Sequence, residues 1–262
     1  MSRTVRRQVE STYLRLRTAA AFIGFAFPLV LWIGGLCAGF GLCDSMSAYY
    51  HANPHSQERC QTACRDLTPL QNEAIPQAGT MRNAFVGLLF AIGIILFVNK
   101  GYSRHEDILL SFAGAFAWCI AIFPMPWKCK PSCPISMHGA SAILFFACIV
   151  IIIVFCSEDT VKYLPTSKMK KCFRICYWIL AGCMGLSPLT AYLMNESIPG
   201  HNSYIFWVEF VGIYAFGVYW LVKTKEISIL IHEREKQKIH RTHRHARNMN
   251  AGRLVIPVNM LL

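Results

Sequence analysis

Five residues of this chain have types and positions suited to chemistry: Ser47, His51, Arg82, His138 and Glu209. Ser47 and His51 stand four apart in Asp44-Ser-Met-Ser-Ala-Tyr-Tyr-His51. On a helix that spacing places both on one face. His138 opens a later apolar run, and Glu209 is the one carboxylate well inside such a run. Counted from Tyr204, Glu209 lies roughly 8 Å deep at 1.5 Å per residue. An ionisable group at that depth is costly and marks a site by default. The plainer alternative is a protonated Glu hydrogen-bonded between helices. His51, His138 and Glu209 together form a His, His, carboxylate set, and Zn²⁺ with an open position for water is the cofactor it would take. Ser47 would support a ligand through a hydrogen bond, Glu209 would serve as ligand or base, and Arg82 would hold a headgroup phosphate. The bland reading is that these are ordinary interfacial side chains.

The cysteines suggest a second kind of chemistry. Of twelve, Cys43, Cys60, Cys64, Cys129 and Cys133 fall at or in the loops of one face. Cys60 and Cys64 share the spacing Cys-x3-Cys with Cys129 and Cys133. Two bridges between these pairs would pin a long loop to a short one, and a four-thiolate zinc site is the alternative. Other catalytic patterns are missing: there is no Gly-x-Ser-x-Gly, no Walker-type loop, no His-Glu-x2-His and no Cys-x2-Cys. Asn195-Glu-Ser197 is a glycosylation sequon, relevant only in a eukaryotic secretory membrane.

The elements that must position these residues follow from composition. Of 262 residues, 54% are hydrophobic and only 15% charged, with a mean hydropathy of +0.37. Soluble domains carry about 25% charge, so this chain lacks the polar surface to cover itself in water. Disorder, collagen, coiled coil and a cytosolic enzyme are excluded. Six apolar runs are long enough to cross a bilayer: Ala19 to Leu42, Met81 to Val98, Ile108 to Pro126, Met137 to Cys156, Phe173 to Met194, and Tyr204 to Val222. They are continuous rather than alternating, which excludes a β-barrel. The first is too long for a cleaved signal peptide. The apolar part of the second is short, so its helix must begin earlier and draw Arg82 and Asn83 to the interface. A lipid phosphate, Glu209 or Asp44 would then partner Arg82. Pro28 and Pro188 fall inside runs, where neighbouring helices tolerate them.

Positive charge orients the bundle. Of the 26 Lys and Arg, 21 flank one set of span ends and 5 the other, so both termini are expected in the cytoplasm. The expected fold is therefore an all-α membrane bundle of six transmembrane helices with cytoplasmic ends. Its parts are a basic segment over residues 1–18, a transmembrane domain over 19–222 with an outer loop at 43–80, and a basic tail over 223–262. The tail suits anionic lipid headgroups. It lacks the interleaved aromatics of a nucleic-acid binder, and no nucleic-acid partner is expected. His51, His55, His138 and His201 all fall on the outer side.

Two resemblances add to this. The runs Ser-Met-Ser-Ala-Tyr-Tyr-His, Met81-Arg-Asn-Ala-Phe-Val-Gly, Gly101-Tyr-Ser, Ile122-Phe-Pro and His138-Gly resemble a family of uncharacterised bacterial six-span membrane proteins. That likeness covers roughly residues 20 to 222 and implies a bacterial inner membrane but no activity. Ser47-x3-His51 is similar to the Ser-x3-His element of the alkaline ceramidase and adiponectin-receptor superfamily of membrane hydrolases. Those proteins have seven spans, a zinc-binding His-x3-His in the last and an Asp between. This chain has six runs, no His-x3-His in the sixth and Asn83 where an acid is wanted. The leading expectation is a non-catalytic membrane scaffold, sensor or accessory component with a protein partner. The alternatives are a zinc-dependent hydrolase of a lipid ester or amide at the outer face, and a small transporter or channel subunit.

Overall fold

The computed structural model describes residues 3–39, 42–50, 80–123, 125, 136–197 and 204–253. Every regular element among them is helical: α1 Arg3–Cys37, a 3₁₀ turn Ser47–Tyr50, α2 Thr80–Val98, α3 Arg104–Ile122, α4 Met137–Ile151, a π-helical turn Ile152–Cys156, α5 Glu158–Val161, α6 Ser167–Ser197 and α7 Tyr204–Arg253. Six helical segments are long and apolar enough to cross a membrane. The chain is thus an all-α, multi-pass membrane protein.

Local chemistry starts and stops these helices. Ser103 caps α3, its Oγ accepting from the Glu106 N–H at 3.3 Å, and Ser136 caps α4 by accepting from Gly139 N–H at 3.1 Å. Each satisfies a donor that the first turn leaves unpaired. Helix α1 ends at Cys37, and Gly39 follows at φ +85°. That left-handed conformation, open to glycine, ends a helix. The helix therefore stops five residues short of the Leu42 bound read from hydropathy. At the other boundary the expectation held: α2 starts at Thr80, one turn before its apolar run.

Packing joins the helices in a ring. Helix α1 lies against α7 and α2, α2 against α3, α3 against α4, α4 against α6, and α6 against α7. Glycine brings two neighbours very close. A Cβ on Gly93 would stand 2.2 Å from Trp118 Nε1 and 2.9 Å from the Gly114 carbonyl, and one on Gly114 would stand 2.7 Å from the Gly93 carbonyl. Small residues at helix contacts are the usual means of close approach where lipid supplies no hydrophobic drive. Large apolar side chains cover the outside, Phe22 and Phe155 being more than 70% exposed. That surface suits lipid.

The outer helices of the ring are longer than a bilayer. At 1.5 Å per residue, the 35 residues of α1 and 50 residues of α7 reach about 50 and 75 Å. They run antiparallel and remain paired at the end bearing the chain termini, where Arg7 Nε is 3.8 Å from Glu235 Oε1. The termini end and the opposite end each hold a polar cluster.

Candidate functional site

At the opposite end, the segment after α1 is clamped onto the start of α7 by two reciprocal bonds. The Phe206 N–H, in the first turn of α7, donates to the Asp44 carbonyl at 2.9 Å. Glu209, one turn on, accepts from the Met46 N–H at 2.6 Å. The first bond satisfies a helix-start donor, and the second seats the buried Glu209 carboxyl on backbone. The turn is closed locally by Ala48 N–H, which donates to Ser45 Oγ at 3.1 Å. Tyr49 then packs inside. A Cβ on Gly35 would fall 2.5 Å from its ring, so glycine is required there. Burial pushes the Tyr49 phenol above its ordinary value, opposed by the Cys43 N–H that donates to it. The phenol therefore stays protonated.

This clamp brings Ser47 to His138. Ser47 Oγ lies 2.9 Å from His138 Nε2. The other ring nitrogen, Nδ1, lies 2.9 Å from the Phe123 carbonyl at the end of α3. A carbonyl only accepts, so Nδ1 carries a proton and, in the neutral ring, Nε2 accepts from the Ser47 hydroxyl. His138 is 6% exposed and sits in the first turn of α4. Phe85 flanks its ring, Tyr50 meets Phe85 edge-on, and the Arg82 guanidinium lies 4.9 Å over Tyr50. The arrangement is a hydroxyl, a base and a group orienting the base, which is the geometry of an activated nucleophile.

The sequence candidates are thus only partly joined. Ser47, His138 and Glu209 meet on one segment, with Glu209 engaged on Met46. Arg82 faces Tyr50, a partner not foreseen. His51 lies outside the described residues, as do His55, His201, Cys60, Cys64, Cys129 and Cys133. The helix that was to carry Ser47 on to His51 has ended at Cys37, and Ser47 lies in a separate 3₁₀ turn. Among the described residues no three His, Cys, Asp or Glu side chains are placed to hold a metal. Both nitrogens of His138 and one Glu209 oxygen are in protein hydrogen bonds, so no step is derived through Zn²⁺. Seven described cysteines are free thiols, Cys148 and Cys156 among them buried. Two participants escaped the sequence altogether: the Phe123 carbonyl and the Met46 N–H are backbone, and leave no residue-type signal.

The termini end holds charges that hydropathy assigned to loops and tail. Arg17, Glu106, Lys223 and Glu226 are each no more than 1% exposed. Arg17 Nη2 is 3.7 Å from Glu106 Oε1, and Lys223 Nζ is 3.1 Å from Glu226 Oε2. Lys223 also reaches Thr160 Oγ1 at 2.5 Å, and the Tyr177 hydroxyl donates to Glu226. Arg17 donates to Tyr13 and to the Lys100 carbonyl, the latter at 3.3 Å. Lys223 and Glu226, three apart directly after an apolar run, were the available signal. They read equally well as topology charges.

Comparison with protein-family models, curated proteins and solved structures returned no match.

Proposed function

We propose that this multi-pass membrane protein is a hydrolase that cleaves a lipid ester or amide at the end of the bundle opposite its termini. The observation that supports the reading is the 2.9 Å contact between Ser47 Oγ and a His138 whose Nδ1 is held by the Phe123 carbonyl. In this reading Ser47 Oγ attacks the substrate carbonyl while its proton passes to His138 Nε2. The C–O or C–N bond then breaks, and the departing alcohol or amine takes that proton. Water repeats the sequence on the acyl-serine, giving its proton to His138, releasing the acid and restoring Ser47. Glu209 acts as a positioning residue, since it fixes the backbone one residue before Ser47. Arg82 would receive a headgroup phosphate. With both termini cytoplasmic, in a bacterial inner membrane as the family resemblance implies, the site faces the outer leaflet. The basic tail then rests on anionic headgroups.

The test is labelling of the purified full chain in lipid nanodiscs with a fluorophosphonate, with turnover of an ester and amide lipid panel. Labelling at Ser47 is expected, absent in Ser47→Ala and slowed by roughly 10²-fold or more in His138→Ala, the usual worth of a general base. Absence of both labelling and turnover would overturn the reading. Zinc near one per chain, lost in His138→Ala, would replace the serine nucleophile with metal-bound water. A second reading is a scaffold or sensor that binds a protein partner. It is favoured by the open groove between the extensions of α1 and α7, lined by Arg7, Ser11, Arg15, Ile231 and Glu235.

A further inference from the structure

The start of α6 carries two thiols that neither the hydrolase reading nor the charge clusters use. Cys172 is exposed, Cys176 is half-buried, and both are free. They stand four apart on the helix Ser167–Ser197. That spacing puts them on one face, one above the other, and their thiols interact directly. Cys172 lies between a turn that holds Lys168, Lys170 and Lys171 and the apolar stretch that begins at Phe173. The Arg174–Glu158 pair ties this part of α6 to α5, and the Tyr177–Glu226 bond ties it to α7. The thiol pair is thus reached from outside the bundle while its helix is anchored on both sides.

Helix geometry decides between oxidation and ion binding. Cβ atoms four apart on a helix are roughly 5–6 Å from each other, whereas a disulfide needs about 3.5–4.5 Å. Joining Cys172 to Cys176 directly would therefore unwind the turn. An ion between the sulfurs removes that demand, since two metal–sulfur bonds of roughly 2.3 Å span up to about 4.6 Å. The donor set then selects the ion. Thiols are soft ligands, and among the described residues no third His, Cys, Asp or Glu is placed to complete a metal site with them. Glu158, the α5 carboxylate that meets this turn, is taken by Arg174. Zn²⁺ takes four ligands and Ca²⁺ or Mg²⁺ takes oxygen, so neither is served. Monovalent copper is soft and is satisfied by two sulfurs. Between two thiolates it leaves a single negative charge, beside a turn with three lysines. We propose that Cys172 and Cys176 bind one Cu⁺ ion at the termini end of α6. Each thiol gives its proton to water as its sulfur bonds the ion, and no electron changes hands. The proposal is independent of the hydrolase reading, whose residues lie at the other end.

The experiment is anaerobic titration of the purified full chain in detergent with Cu⁺, in competition with a coloured bicinchoninate chelator, beside a titration with Zn²⁺. One Cu⁺ per chain is expected to be withdrawn from the chelator. Cys172→Ser and Cys176→Ser are each expected to lose that ion with Tm unchanged. Cys183→Ser, about 10 Å further along α6, and Cys37→Ser are expected to keep it. In the unmodified protein, bound Cu⁺ is expected to protect Cys172 and Cys176 from alkylation and to leave the exposed Cys37 reactive, a readout that needs no variant to fold. Copper retained in both Ser variants at the α6 start, or equal alkylation with and without Cu⁺, overturns the proposal. So does Zn²⁺ bound with the same dependence on both cysteines, which would assign a four-coordinate site completed from elsewhere. A Cys172–Cys176 disulfide found by mass spectrometry after mild oxidation would make the pair a redox couple and overturns it as well.

Discussion

The two ends of the bundle solve the same problem, a polar group among apolar helices, by opposite means. At the termini end side chains pair with side chains across helices: Arg17 of α1 with Glu106 of α3, and Lys223 and Glu226 of α7 with Thr160 and Tyr177. At the opposite end side chains pair with backbone: Glu209 with the Met46 N–H, and His138 with the Phe123 carbonyl. In the first kind of cluster charges on one helix find partners on another, Arg17 with Glu106 and Lys223 with Thr160. The second kind orients one imidazole and spends few side chains, so the Ser47 hydroxyl remains half-buried with a base beside it. Charge pairs join helices; a backbone partner orients the His138 imidazole.

The sharpest way to break the comparison is to remove one member of a charge pair. Glu106→Ala leaves Arg17 buried without its carboxylate, and is expected to destabilise by about 3–5 kcal/mol. It also removes the acceptor of the Tyr102 N–H, 2.6 Å from Glu106 Oε2. Thermal unfolding in detergent checks the size, and the double variant Arg17→Met, Glu106→Leu should recover most of the loss, since apolar replacement of a whole buried pair is often neutral. A small effect of Glu106→Ala would mean that the termini end is hydrated and not dependent on its charges.

The next variant acts at the other end. Glu209→Ala leaves the Met46 N–H without its acceptor, at a cost of about 1–3 kcal/mol. Glu209→Gln should cost less, because the amide carbonyl still accepts from Met46 N–H. If the clamp aims Ser47, fluorophosphonate labelling at Ser47 should fall further in the Ala variant than unfolding accounts for. Equal labelling in all three proteins would make Glu209 a plain structural carboxylate.

Residue types explain why the sequence revealed so much of the scaffold and so little of the sites. Apolar runs such as Met81 to Val98 appear directly as helices, because a span must satisfy its backbone internally. The termini-end cluster was obscured by a real ambiguity. Lys223 and Glu226 flank a span in the positions where topology charges belong, and only the packing of α6 and α7 buries them. Ser47, His138 and Glu209 were singled out, yet as parts of a metal site. The partners that the structure adds are a carbonyl and an amide N–H, present at every residue. The stop at Gly39, which separates the Ser47 turn from α1, depends on a backbone conformation that glycine permits but does not require.

The smallest expected effect belongs to Arg82, and it separates binding from chemistry. Its guanidinium over Tyr50 is a cation–π contact at an interface, worth about 0.5–1 kcal/mol, so Arg82→Ala should barely move Tm. It touches neither Ser47 nor His138 in any hydrogen bond among the described residues, so fluorophosphonate labelling should be unchanged. If Arg82 receives a headgroup phosphate, the variant should raise KM for phosphate-bearing lipids with kcat intact, and leave a neutral ester unaffected. That pattern is the mark of lost uniform binding. A fall in kcat with KM constant would instead bring Arg82 into the transition state, and would join it to Ser47 and His138 through Tyr50 and Phe85.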